Sequence, residues 1–174
     1  MRLARLTLAF AAFMGLAAFD DPAGKYVIDF PEGWTTTPAS AEGFTFAHAP
    51  DKVTNCGAKA AAVPAFAAYT QDEINAQLFA NPFGAADWAS VLGADAGLIT
   101  LEAGEIIEAN GLKVQIATLK LGAGFESIPF ETLSRIVVSA TPGIVYIGAC
   151  IVETAKYDDF KDIFETTVRS LRPL

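Results

Sequence analysis

Residues 130–152 read FETLSRIVVSATPGIVYIGACIV, two long apolar runs at 130–140 and 144–152 separated by Thr141-Pro142-Gly143. Proline followed by glycine between apolar runs is typical of a turn, so the pattern predicts two strands joined by a tight connection. Strands without polar alternation are covered on both faces of a sheet. We therefore predict that these two strands lie at the centre of the sheet.

The flanking sequence extends this sheet and then covers it. Upstream, Asn110-Gly111 separates the strand patterns at 105–109 and 112–121, and this dipeptide favours a type I′ hairpin turn. Downstream, apolar residues recur at helical spacing from Phe160 to Leu171, which predicts an amphipathic helix that docks across the sheet.

Short strands are predicted near the start of the chain. The alternating segment 25–30 is followed by Pro31-Glu32-Gly33, then by Trp34 and three threonines, a pattern that predicts an opening hairpin. A strand of small residues is predicted over 57–63. Between them, three residues share one face of another alternating strand: Phe44, Phe46 and His48.

Two short helices are predicted between these strands and the later ones. Thr70 begins Thr-Gln-Asp-Glu, a capping box in which threonine and glutamate satisfy free backbone N–H groups of the first turn. The helix that it opens ends before Asn81-Pro82. A second helix is predicted over 85–92, carrying Trp88, and Gly93 follows it.

The N-terminus has the order of a secretory signal peptide. Arg2 and Arg5 precede an apolar run over 6–16, and small residues precede Phe19-Asp20-Asp21. This run is shorter than the roughly 20 residues that span a bilayer. We predict cleavage after Ala17, with Ala18 as the alternative, so that residues 1–17 form the signal peptide and 18–174 a single domain. The mature protein is expected in the periplasm if the source is bacterial and otherwise secreted, without a stable membrane anchor.

Cys56 and Cys150 are the only cysteines. An even pair in an exported chain predicts one disulfide, and two buried free thiols are the alternative. In the chain-entropy model, a disulfide that closes this loop of 150 − 56 = 94 residues contributes on the order of 4–5 kcal/mol to stability.

The acidic composition argues against nucleic acid as a partner. The net charge is −8, and losing Arg2 and Arg5 with the leader would make it −8 − 2 = −10. Such a surface repels phosphate, and no cluster of basic residues opposes it. Cationic ligands remain compatible with this charge.

Two segments of the sequence resemble the PsbP-like (Mog1/PsbP) superfamily. They are Tyr26-Val27-Ile28-Asp29-Phe30-Pro31-Glu32-Gly33-Trp34 and the closing helix with Phe160, Ile163 and Ser170-Leu171-Arg172. The resemblance covers about Gly24 to Leu174. It implies an α+β fold in which a mostly antiparallel sheet is sandwiched by helices, an α/β/α arrangement. It implies no catalytic residue, since the family includes photosystem accessory proteins, a nuclear-transport factor and exported bacterial proteins of unknown role.

The sequence holds no recognisable catalytic or metal-binding motif. His48 is the sole histidine, so any histidine-based triad would require it, yet it shares a strand face with aromatic residues. No His-x-x-x-His or Cys-x-x-Cys spacing occurs, and no nucleotide-binding glycine motif is present. We predict no catalytic residue, no metal site and no cofactor.

Three hypotheses for function stay open at this point. The first is a non-catalytic exported accessory or binding protein whose partner is an envelope protein or a small ligand. The second is a small hydrolase that uses carboxylates. The third is a binder of a small molecule or lipid, with its mouth within residues 79–97 and an aromatic groove that includes Trp34, Phe83 and Trp88.

Overall fold

The computed structural model describes residues 16–37, 39–40, 43–109, 111–125 and 128–174. Ten strands and three α-helices occur in this part of the chain. In order they are β1 (Leu16–Asp20), β2 (Tyr26–Pro31), β3 (Thr35–Thr37), β4 (Thr45–His48), β5 (Asn55–Ala62), α1 (Gln71–Gln77), α2 (Ala85–Leu92), β6 (Ile99–Ala109), β7 (Leu112–Leu121), β8 (Thr132–Thr141), β9 (Ile144–Glu153), α3 (Tyr157–Ser170) and β10 (Arg172–Pro173).

Seven strands form the main sheet, in the order β3-β4-β5-β9-β8-β7-β6, and every neighbouring pair is antiparallel. The predicted central pair is confirmed, because β8 and β9 lie inside this sheet and pair up to Thr141↔Ile144. The predicted hairpin of β6 and β7 is confirmed up to Ala109↔Leu112, and Gly111 has a φ of 77°. Asn110 lies outside the described residues.

The predicted opening hairpin is wrong. β2 pairs with β1 and β10 in a separate three-stranded sheet, whereas β3 pairs with β4 in the main sheet. The turn after Pro31, in which Gly33 has a φ of 78°, carries the chain from one sheet to the other. The partner of β2 on one side is the last strand of the chain, with Val27 opposite Arg172. Local sequence carries no signal of such a distant pairing.

The helix predictions are confirmed. Thr70 caps α1, since its side chain accepts a hydrogen bond from the Glu73 N–H at 3.3 Å and its own N–H donates to the Glu73 carboxylate at 2.8 Å. α2 has the predicted bounds and ends at Gly93 in the left-handed conformation. α3 begins three residues before Phe160 and buries Phe164 and Val168.

Helices cover both faces of the main sheet, so the fold is an α/β/α sandwich with mostly antiparallel strands. The α3 face is covered by α3 and the three-stranded sheet, and its core includes Tyr26, Ile116 and Phe164. The α1–α2 face is covered by α1 and α2, and its core includes Ile74 and Trp88. Successive residues of a strand alternate between these two faces.

Cys56 and Cys150 form a disulfide on the α3 face. They lie directly opposite each other on β5 and β9 and are completely buried. The predicted pairing is therefore present in the structure, where it joins two neighbouring strands of the main sheet.

The predicted leader lies outside the described residues except for its last two. Leu16 and Ala17 begin β1, and Ala17 lies opposite Phe30 of β2. Cleavage after Ala17 would thus cut within β1 and leave Ala18 to Asp20 for pairing. The cleavage site remains a prediction. In the part of the chain described, no helix is both long and apolar enough to cross a membrane.

Candidate ligand-binding groove

An apolar groove lies between the two short helices and the main sheet. Its volume is about 560 Å³. The floor is formed by side chains of β8 and the start of β9, and the walls come from the end of α1, the following loop and α2. Floor and walls are largely aliphatic and aromatic, including Val138, Ala140, Val145, Leu78, Phe83 and Val91. A groove of this size and composition is typical of small-molecule sites.

Amide side chains fix α1 to the edge of this floor. Gln71 donates from Nε2 to the Ala140 carbonyl at 3.0 Å. Asn75 accepts from the Lys113 N–H at 3.2 Å and donates to the Gly111 carbonyl at 3.3 Å. These bonds join the helix to β8 and to the start of β7, so the wall carried by α1 has a defined position.

Gln115 fixes the loop between the two helices. Its side chain rises from β7 and the residue is almost fully buried. The amide Nε2 donates to the Asn81 carbonyl at 2.7 Å, and Oε1 accepts from the Phe83 N–H at 3.2 Å. Because a buried amide left without partners is costly, this pair of bonds specifies one position for the loop. Gln115 thereby places Phe83 at the groove.

An aromatic cluster supports the wall. The Phe83 ring packs edge-on against Trp88 with centroids 5.4 Å apart and stacks on Phe79 at 6.0 Å. Trp88 and Phe79 are buried, whereas Phe83 is partly exposed and lines the groove. The indole N–H of Trp88 has no hydrogen-bond partner among the described residues.

The polar lining of the groove comes from Gln77, Asp87 and Ser90. Asp87 accepts the Gly84 N–H at 2.8 Å through Oδ2, which caps the first turn of α2. Its other carboxylate oxygen forms no hydrogen bond with the described residues. Among these residues, no lysine or arginine lines the groove. Asp87 is therefore the one formal charge that the described residues contribute to the lining, and it is negative.

The structure brings together two of the three residues predicted to form an aromatic groove. Phe83 and Trp88 are neighbours on the α1–α2 face. Trp34 belongs to the other side of the sheet, where it packs edge-on against Phe160 of α3 at 6.4 Å. Trp34 therefore does not share the groove with Phe83. The sequence could not separate them, because the chain changes sheets just before Trp34.

Sequence reasoning missed the three amides that position the groove. Gln115 had a readable signal, since it is a polar residue within the apolar strand pattern 112–121. A lone amide at such a position is expected to satisfy a buried backbone group. Gln71 and Asn75 lie in a short helix where polar residues are ordinary, and nothing in the sequence distinguished them.

A network of ion pairs lies on the α3 face. Arg135 is almost buried and donates to Glu165 at 2.6 Å and to Glu105 at 2.9 Å, while Arg169 contacts both carboxylates. Partial burial acts to raise the pKa of Glu165, but hydrogen bonds and charge from Arg135 and Arg169 outweigh it and the pKa lies below its ordinary value. A carboxylate held ionised in this way is a poor proton donor.

His48 shows no catalytic arrangement in the structure. It lies beside Phe46 with ring centroids 6.0 Å apart, in a row that continues to Phe44. Within the described ranges, no group of three or more His, Cys, Asp or Glu residues could hold a metal ion.

The comparison with known proteins identifies the fold of this chain but no activity. No protein-family model matches the sequence, and no curated protein matches it. The solution structure of cyanobacterial PsbP (CyanoP) from Synechocystis sp. PCC 6803 aligns with a TM-score of 0.60 over 97% of this chain and 98% of that one, at 14% identity. This chain has the PsbP-like fold. A crystal structure from Bacteroides thetaiotaomicron aligns with a TM-score of 0.55 at 14% identity, covering 90% of this chain and 48% of that one.

The alignment confirms the fold that the resemblance of residues 26–34 and the closing helix implied. At 14% identity the likeness concerns the fold alone. Function must therefore be argued from this chain's own residues.

Proposed function

We propose that this protein is an exported, non-catalytic binding protein that holds a small apolar ligand in the groove beneath α1 and α2. The observation that carries the proposal is the groove itself, about 560 Å³ with a mostly apolar lining. Burial of apolar ligand surface supplies the main driving force in such a site.

The amide contacts favour a groove that exists before the ligand arrives. Gln71, Asn75 and Gln115 hold α1 and the loop to the sheet through hydrogen bonds made entirely within the protein. A preformed site loses little conformational freedom on binding, and affinity per contact is correspondingly higher. The few polar groups of the lining lie at the rim of the groove, where they would orient a ligand rather than react with it.

Carboxylate-dependent hydrolysis is less well supported. The network around Arg135 holds two carboxylates, Glu105 and Glu165, but both accept charge-assisted bonds from arginine. A general acid needs a raised pKa, and the pKa of Glu165 is shifted downwards. An accessory role towards an envelope protein stays compatible with ligand binding, since the groove occupies one face only.

A neutral fluorescent dye can test the binding proposal. Nile red should bind the purified protein with increased emission, because its ring system fits an apolar groove. Val145→Phe places a larger side chain on the groove floor, where it takes space that the dye would fill, and should weaken dye binding roughly tenfold, about 1.4 kcal/mol.

Val53→Phe is the matched control, since Val53 is 46% exposed and does not line the groove. It introduces the same side chain and should leave dye binding unchanged. Equal binding by both variants and the unmodified protein, with both folded by circular dichroism, would contradict the groove as the binding site.

A further inference from the structure

The charges around the groove discriminate between classes of apolar ligand. Asp87 is the one charged residue of its lining within the described residues, and no cation faces it there. The Oδ2 atom is engaged by the Gly84 N–H, while the second oxygen is available to a donor from outside. An incoming ammonium could thus reach Asp87 without breaking the helix cap.

The net charge of the chain also favours a cationic ligand. The chain carries a net charge of −8, so its field attracts cations and repels anions. A carboxylate or phosphate head group at the rim would meet both this field and Asp87. A neutral head group would gain only hydrogen bonds, for which Gln77 and Ser90 are at hand.

Resting on the proposed function, we infer that the natural ligand is an apolar molecule with a cationic amino group. Its apolar part lies on Val138, Ala140 and Val145, and its ammonium lies beside Asp87. The contact is charge-assisted but exposed to solvent on one side, so it selects among ligands more than it adds affinity.

Three probes that differ only in the head group separate the effect of ligand charge on affinity from that of apolar burial. Decylamine, decanol and decanoate share one alkyl chain and are positive, neutral and negative near neutral pH. We expect calorimetric titration to give roughly threefold tighter binding for decylamine than for decanol, as exposed ion pairs of 0.2–1 kcal/mol imply. Decanoate should bind more weakly than decanol.

Asp87→Asn is the decisive variant because asparagine keeps an oxygen that can cap Gly84 while removing the charge. It should abolish the preference of decylamine over decanol. Asp72→Asn is the control of equal net charge, since Asp72 is exposed on α1 outside the groove. It should keep the preference.

The outcomes distinguish this inference from the proposal beneath it. If decylamine and decanol bind the unmodified protein equally, or if both asparagine variants lose the preference alike, the role of Asp87 is overturned and the groove remains. If none of the three probes binds, or if Val145→Phe binds them all unchanged, the groove itself is overturned as a ligand site.

Discussion

The two faces of the main sheet differ in how closely they are packed and in what holds them together. On the α3 face, Tyr26 donates to the Ala58 carbonyl at 2.9 Å and Ser170 accepts the Asp29 N–H at 2.8 Å, which joins the small sheet to the main sheet and to α3. A Cβ at Gly148 would come within 3.0 Å of Val137 and 3.2 Å of Leu171, so this face is closely packed.

The α1–α2 face has its own apolar core, is also held by side-chain amides, and leaves space above its strands. The disulfide and the arginine network both lie on the opposite face. Under the proposed function, ligand binding belongs to the α1–α2 face, whereas the disulfide and the arginine network stabilise the α3 face. Changes on the α3 face should then lower stability, and changes on the α1–α2 face should alter ligand binding.

The largest loss of stability is expected from removing the disulfide. Its partners are 94 residues apart, so the double variant Cys56→Ala with Cys150→Ala should lose on the order of 4–5 kcal/mol of unfolding free energy in the chain-entropy model. Chemical denaturation checks this value. A loss below about 1 kcal/mol would show that the bridge contributes little to the α3 face.

Oxidation state provides an independent check on the bridge. Intact mass of the protein purified without reductant should be two hydrogens below that of the dithiol. Two thiols that react with an alkylating reagent after denaturation without reductant would contradict the bridge.

A pair of phenylalanines sharpens the comparison between faces. Phe164 is fully buried under α3, so Phe164→Ala should cost about 3–5 kcal/mol of stability. Phe83 is only partly buried, and Phe83→Ala should cost roughly 1 kcal/mol, about half of a full burial. Nile red binding should weaken for Phe83→Ala and persist for Phe164→Ala at temperatures where both remain folded. Dye binding that is lost in Phe164→Ala but kept in Phe83→Ala would contradict the proposed division between the two faces.

Two hydrogen-bond deletions extend this test to polar groups. Gln115→Leu leaves the Asn81 carbonyl and the Phe83 N–H without their partner, so it should cost about 1–3 kcal/mol and weaken decylamine binding. Tyr26→Phe removes one bond on the α3 face and should cost about 1 kcal/mol with binding unchanged. Thermal unfolding measures the change in stability, and calorimetric titration measures the change in decylamine binding. Decylamine binding that falls equally in both variants would refute the assignment of ligand binding to the α1–α2 face.

The smallest predicted effect is the dependence of stability on pH at Glu165. Its pKa in the folded protein lies below the value of about 4.3 expected when unfolded, so ionised Glu165 stabilises the fold above that value. This contribution is lost as pH falls through the folded pKa. After allowance for solvent screening, ionised Glu165 contributes about 0.5–1 kcal/mol to the free energy of unfolding.

Denaturation of Glu165→Gln across this pH range tests the sign. The variant should be less stable than the unmodified protein near neutral pH, and the difference should shrink in acid. Glu32→Gln, at an exposed turn position without an ion pair in the described part of the chain, is the control for removing one negative charge and should leave stability near neutral pH unchanged. A difference for Glu165→Gln that grows in acid would contradict the sign.

Elements defined by nearby residues could be predicted from the sequence. The capping box at Thr70, the helix over 85–92 and the strands around Thr141-Pro142-Gly143 all rest on signals within a few residues. The predicted hairpin after β2 failed because its true partners are β1 and β10, and β10 lies at the other end of the chain.

The groove was only partly predictable for the same reason. Phe83 and Trp88 are five residues apart on one loop and helix, and the sequence placed them together. Whether Trp34 joins them depends on which face of the main sheet its side chain packs against. The role of Gln115 depends on a contact 32 and 34 residues away, which strand periodicity does not specify.

The two tryptophans allow the separation of faces to be tested in one spectrum. Trp88 lies beside the groove wall and Trp34 lies under α3, and they are the only tryptophans in the chain. A proton–nitrogen correlation spectrum therefore contains two indole signals, which Trp34→Phe assigns. On titration with decylamine, the Trp88 signal should shift and saturate with the calorimetric dissociation constant, while the Trp34 signal stays in place. A saturable shift of Trp34 with Trp88 unmoved would contradict the account.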